Sequence, residues 1–256
     1  MPRRVKAVSH DDQLSLVEHL DELRSRIIVC AVVFALALAL CFWQNHVLLE
    51  IAGGPLPGDH KKLITFGITE PFTTTITVAA YGAIILAMPI VLYQLYAYIL
   101  PAFSPNERRS VLPILLLFPF LFFAGIAFAY FAVMPAAVKF LLNFNDNQFN
   151  IQVRARDYYS FFSSTMLAGA LVFQLPLAIL AVVRLGIVRI DQLTSNRRYA
   201  YLIIAIIAAA LPGVDPVSMI IEMVPLLVLF ELSILLAKVS ERGRRRGAVA
   251  EPTAQE

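Results

Sequence analysis

Long apolar runs and short polar connections alternate along this chain. Residues 27–43, 72–100, 111–134 and 158–183 contain no charged side chain. Each is close to or above the length a helix needs to cross a bilayer, about 17 to 25 residues. A fifth run, 199–214, is shorter. The tight turn "LPGVDP" separates it from a sixth, 217–237, which holds Glu222 and Glu231. The pattern predicts an all-α integral membrane protein of six transmembrane helices, in a single membrane domain covering 1–256. With so short a fifth run, five spans and a re-entrant hairpin remain open. Pro89, Pro113, Pro119, Pro176 and Pro225 fall inside the runs. Each removes a backbone donor and bends its helix, giving either irregular packing or a kinked, cupped bundle. The loop 44–70 is too rich in Gly and Pro for a long regular element.

Sidedness follows from the basic residues. Segments 1–26, 101–110, 184–198 and 238–256 together carry 16 Lys and Arg, whereas the alternate connections carry 5. The positive-inside rule puts the first set, and so both termini, in the cytoplasm. The first apolar run follows 26 residues of mostly polar chain and lacks a small-residue cleavage site, so no cleavable signal peptide is expected. The 238–256 tail opens with a basic cluster suited to anionic headgroups and then reads as disordered.

Composition narrows the function. Hydrophobic residues make up 59% of the chain, charged residues only 15%, and the mean hydropathy is +0.74. A net charge of +3 does not suggest nucleic acid. Cys30 and Cys41 share one run, separated by about 16 Å of helix, too far for a disulfide. All four histidines (His10, His19, His46 and His60) lie outside the runs, so no pair could ligate a haem within the bilayer. No nucleophile, metal-protease or ATP motif is present, so neither an enzyme nor a cofactor is expected. A small-solute secondary transporter is the alternative. It would show a polar site at the midplane and internal repeats, and the sequence shows neither clearly.

Two cytoplasmic stretches carry patterned charge. In "SLVEHLDELRSRII" (15–28), Leu16, Leu20, Leu23 and Ile27 recur at helical spacing, leaving Glu18, His19, Glu22, Arg24 and Arg26 on the other face. Glu22 and Arg26 stand four apart, an ordinary surface pair worth about 0.3–0.5 kcal/mol. In "LPAFSPNERRSVLP" (100–113), Ser104, Pro105 and Glu107 fit the N-cap, N1 and N3 positions of a capping box. Both glutamates thus have local structural explanations. A sheltered carboxylate is also the natural bidentate acceptor for a guanidinium, and spacing alone does not show that the two converge.

"EHLDELRSRI" (18–27) resembles the N-terminal signature of the TatC family, the membrane receptor of twin-arginine protein export. "TEPF" (69–72), "PIVLYQLYAYILPAFSPNERR" (89–109), "GIAFAYFAVMPAAVKFL" (125–141), "FQLPLAI" (173–179), "RRYAYL" (197–202), "DPVS" (215–218) and "LFELSI" (229–234) are similar to family segments, in the family's order. The resemblance implies a six-helix, glove-shaped fold in a prokaryotic cytoplasmic membrane, with no cofactor. It implies that Glu22 and Glu107 bind the two arginines of a signal peptide, with His19, Arg24, Arg108 and Arg109 at neighbouring motif positions. Pro55, Tyr98, Pro101 and Asp215 match structural or partner-contact positions. The implied partners are single-span TatA/TatB-type proteins, signal peptides of folded precursors driven by the proton-motive force, and further copies of the receptor. Two departures stand out. Gln174 replaces a frequent glutamate of the fourth helix, and an amide cannot carry charge. Met219 replaces a polar residue of the sixth, and Glu222, nearly one turn on, is the expected substitute.

Overall fold

A computed structural model describes residues 10–58, 62–99, 105–184, 187–212 and 215–249. Within these, side chains are described for 20–58, 62–98, 117–183, 187–212, 215–235 and 237–238. Apart from one isolated bridge, Ile64 with Arg154, all regular structure among the described residues is helical. Among the described residues five stretches are long and apolar enough to cross a membrane: Leu20–Trp43, Glu70–Tyr98, Leu117–Asn143, Ala155–Val183 and Pro216–Leu235.

Helix α1 (His10–Trp43) runs unbroken from the polar N-terminal segment into the first apolar run, because nothing between interrupts its hydrogen bonding. The Gly/Pro-rich loop contains a short α2 (Asn45–Ala52). Helix α3 (Glu70–Ile99) packs on α1. Ala79, Ala83 and Ala87, one turn apart, meet Ala37 and Cys41, and such small residues let two backbones approach closely. Both cysteines are free, and Cys41 is buried in this seam.

Helix α4 (Pro105–Phe128) begins at the expected proline and leads through a π turn (Ala129–Val133) into α5 (Met134–Asn143). The helical stretch therefore continues nine residues beyond 134, the expected end of the third span. Pro135 explains the widened turn. It cannot donate to the Phe131 carbonyl, and its ring crowds that carbonyl unless the preceding turn opens. The fourth run is two helices, α6 (Ala155–Val172) and α7 (Leu175–Arg184), broken at Phe173–Gln174. Pro176 occupies the second position of α7, where a missing N–H costs little.

The fifth run is the main difference from the expected spans. After α8 (Ile190–Ser195), α9 (Arg197–Ala210) has 14 residues, about 21 Å, well short of a membrane's apolar thickness. Helix α10 (Pro216–Val249) continues through the basic cluster. The Arg and Glu of "SERGRRRG" are good helix formers, which suits a helix running on to Val249.

Two further contacts set the geometry. Helix α4 crosses α6 at Gly125 and Gly169, where a β-carbon on Gly125 would lie 2.4 Å from the Gly169 carbonyl oxygen. At the end of the bundle away from Glu22, the Tyr158 hydroxyl donates to the Ala52 carbonyl at 2.6 Å and that of Tyr130 to the Ile51 carbonyl at 3.2 Å. These bonds fasten α2 over a core of Leu56, Met134, Phe162 and Met166.

Candidate functional site

Glu22 sits on α1 with its side chain 36% exposed. Its Oε1 accepts a hydrogen bond from Arg26 Nε at 3.0 Å and another from Nη2. The surface pair expected from the i,i+4 spacing is therefore formed. It also reaches further, because Arg26 Nη1 donates to Gln94 Oε1 of α3 at 2.9 Å. A tie between two helices holds the Glu22 carboxylate in a defined position on the surface of the bundle. Arg24, two residues on, is exposed.

Gln94 lies five residues, about 7 Å, from the end of α3 at Ile99. Tyr98, half-buried, is in that last turn. After five intervening residues α4 opens at Pro105, with Glu107 and Arg108 in its first turn and Arg109 just beyond. The backbone positions of Glu22, Tyr98 and Glu107 thus share one end of the bundle. An acidic side chain in the first turn of α4 also complements the positive end of the helix dipole. The side chains of His19, Glu107, Arg108 and Arg109, and all of Ser104 and Pro101, lie outside the described residues. What this end can do chemically is exchange. A half-exposed carboxylate that already accepts two guanidinium N–H groups can accept those of another arginine in their place.

The remaining expected positions lie elsewhere. Pro55 is at the opposite end, where with Pro135, Val138, Lys139, Asp146 and Phe149 it lines an open cavity of about 810 Å³. Gln174 is buried at the α6–α7 break, and its Nε2 donates to the Phe118 carbonyl at 3.4 Å, while Oε1 has no hydrogen-bond partner. Asp215 is the buried N-terminal cap of α10. Its Oδ1 accepts from the Ser218 N–H at 2.8 Å and its Oδ2 from the Ser218 hydroxyl at 2.6 Å. Glu222 is buried in α10, facing neither Glu22 nor the exposed surface, and its Oε2 has no hydrogen-bond partner.

Two ion pairs that join distant parts of the described chain escape the sequence reading. The Glu70 carboxylate, nearly fully buried, accepts from Arg154 Nε at 2.8 Å, from Arg154 Nη2 at 3.1 Å and from the Phe66 N–H at 2.9 Å. The guanidinium stands 5.3 Å from the Phe66 ring centre. The hydrogen bond to Glu70 pushes the Arg154 guanidinium further above its ordinary pKa. Backbone bonds from Ile64 N–H to the Val153 carbonyl (3.0 Å) and from Ala155 N–H to the Ile64 carbonyl (2.9 Å) lock the same two loops. The second pair joins α9 to α10. Glu231 accepts from the Tyr201 hydroxyl at 2.6 Å and pairs with Arg197 at 3.1 Å. Glu70 lies in "TEPF", Arg197 and Tyr201 in "RRYAYL" and Glu231 in "LFELSI", so the motifs flagged the positions without disclosing the partners.

The family model described as Sec-independent protein translocase protein (TatC) matches residues 18–225. The Sec-independent protein translocase protein TatC of Carboxydothermus hydrogenoformans is 35% identical over 229 residues, 89% of this chain and 94% of the relative. The protein of the same name from Aquifex aeolicus is 32% identical, over 91% of this chain and 98% of its own. A solved structure described as the twin arginine translocase receptor TatC is 32% identical and superposes with a TM-score of 0.75, covering 87% of this chain and 99% of that one.

Proposed function

The chain belongs to the TatC family of multi-pass Sec-independent protein translocase proteins, and on that premise we propose that it reads the paired arginines of export signal peptides with Glu22 and Glu107. The observation that carries this reading is the Glu22–Arg26–Gln94 tie. It holds a half-exposed carboxylate, already engaged by a guanidinium, at the end of the bundle where α4 brings in Glu107. A signal-peptide arginine would displace Arg26 from Glu22, while Arg26 keeps its bond to Gln94. The exchange replaces one charge-assisted contact by another, so affinity rests on the second arginine meeting Glu107 and on the shelter of the site.

In this proposal the chain crosses the cytoplasmic membrane six times with both termini inside, α9 serving as a short fifth crossing. The excess of basic residues on the connections around Glu22 and Glu107 supports that orientation. Single-span TatA/TatB-type proteins and further copies of the chain complete the receptor complex, and the proton-motive force drives transport.

Photocrosslinkers placed singly at Asp21 and Asn106, beside glutamates left intact, test the reading, using a membrane-targeted precursor with either Arg-Arg or Lys-Lys. Crosslinks with Arg-Arg that disappear with Lys-Lys are expected, since the ammonium lacks the planar fork of donors. Equal crosslinking by both peptides would reduce Glu22 to a helix-surface partner of Arg26 and Glu107 to a helix cap.

A further inference from the structure

Buried polar atoms in folded proteins nearly always find a partner, so an orphan calls for an explanation. Glu222 Oε2 is such an orphan, on a side chain that is 7% exposed. The carboxyl faces a narrow, partly open cavity of about 10 Å³ between α10, the α4 π turn and α6. The polar hydroxyl in its lining is Thr165, and it already donates to the Pro212 carbonyl at 3.2 Å. That hydroxyl can accept a proton donor but has none left to offer an anion. The rest of the lining is Phe128, Ala129, Val133 and other carbon-rich or glycine positions. The other charged group on this face of α10 is Asp215, two turns away, with both oxygens satisfied by Ser218. No cation faces Glu222 from α4, α6 or the end of α9 among the described residues.

An ionised carboxylate without donors in such a setting is strongly disfavoured, whereas the neutral acid is both a donor and nearly apolar. We propose that Glu222 is a proton-binding site, a neutral carboxylic acid in the closed bundle, and that its ionisation parts α10 from the α4–α6 pair. The step is simple. The O–H bond of Glu222 breaks, the proton passes to water admitted to the cavity, and the carboxylate remains solvated by that water. The present cavity is at the threshold of holding one water molecule, and a carboxylate needs several donors. Ionisation therefore requires the walls to move.

The walls are unequal, and that decides which one yields. Gly125 and Gly169 bring α4 and α6 into backbone contact, leaving them no slack. Pro225 lines the cavity on the α10 side. Its missing N–H leaves the Ile221 carbonyl without the helical bond that would span Glu222, so α10 bends there at little cost. The seam opens by movement of α10.

The inference is independent of the arginine-reading proposal, and the test keeps them apart. The full chain is reconstituted in lipid vesicles, and infrared difference spectra are recorded for wild type, E222Q and E231Q at neutral pH. The band of a protonated carboxylic acid is expected to be lost in E222Q and retained in E231Q, whose carboxylate pairs with Arg197. In a background with Cys30→Ala and Cys41→Ala, Thr165→Cys is expected to react with a water-soluble maleimide faster as pH is raised, at least several-fold beyond the rise that thiolate ionisation alone gives a surface cysteine. In E222Q that excess disappears. Identical protonated-carboxyl intensity in wild type and E222Q would overturn the site. An excess over the surface cysteine that persists in E222Q would overturn the coupling. Crosslinking at positions 21 and 106 in E222Q reports separately on arginine reading and is expected to be unchanged.

Discussion

Replacing Gly125 by valine tests the close crossing of α4 and α6. A β-carbon there lies 2.4 Å from the Gly169 carbonyl oxygen and 3.0 Å from the Ala170 Cα. Ordinary carbon contacts begin at about 3.5 Å, so the shortfall is about 1 Å, and both obstructing atoms belong to the backbone. No rotamer change relieves it, and the helices must separate. Overpacking of this kind costs about 1–3 kcal/mol, and the branched side chain puts Gly125→Val at the upper end. Better helix propensity returns only about 0.5 kcal/mol. A net loss of about 2–3 kcal/mol lowers Tm by roughly 4–12 °C in a chain of this size. Thermal unfolding of the purified protein in detergent, followed by intrinsic fluorescence, reads it. The control is Gly82→Ala on α3, where the near atoms are the Leu48 side chain and Cys41 Sγ, at 3.3 Å and beyond, which can shift. The control is expected to melt at or above the wild-type temperature. If Gly125→Val also melted there, the backbone contact would not limit the approach of α4 and α6.

Four further outcomes are expected. Asp215→Ala removes both acceptors for Ser218 and should cost about 0.5–2 kcal/mol, measured in the same melts. Tyr158→Phe leaves the Ala52 carbonyl unpaired and should destabilise by about 1–3 kcal/mol. Tyr159→Phe loses only a 3.5 Å contact with the Leu49 carbonyl and should have little effect. Glu70→Ala and Arg154→Ala should each increase hydrogen exchange at the Ile64–Ala155 backbone bonds, and the double variant should add little to either. Gln94→Leu should weaken Arg-Arg crosslinking at position 21, with Glu22 intact, and make it more salt-sensitive, because Arg26 then loses its anchor on α3.

Much of the architecture is written as charge-free runs, since only helices satisfy their backbone in lipid without outside partners. The start of α4 was legible too, because Pro105 fits a first helical position and no interior one. The π turn before Pro135 and the break at Phe173–Gln174 were less so. Proline says that a helix must yield, whereas packing decides whether it bends, widens or stops. The extent of α9 depended on where its polar flanks fold, which the apolar run at 199–214 does not encode. For the candidate site, spacing gave Glu22 its partner Arg26 correctly. Gln94, 68 residues further along, was invisible to it. The Glu70–Arg154 pair spans 84 residues, and no local rule links an acid that opens one helix to a base in a distant loop. Glu222 showed the converse: its residue type was noticed, but its burial without a donor is a property of three helices together.

With α9 as the fifth crossing proposed above, its brevity has a consequence for the surrounding lipid. Leu202, Ile203 and Ile206 point outward from a column about 21 Å tall, while the apolar part of neighbouring α10, Pro216–Leu235, measures about 30 Å. Acyl chains passing from one helix to the other meet a step of about 9 Å in the height they must cover. Each ångström of such mismatch costs a fraction of a kcal/mol. The rim of the protein beside α9 is therefore where the membrane is compressed, and the bilayer's own elasticity, as much as any side chain, sets how that flank behaves.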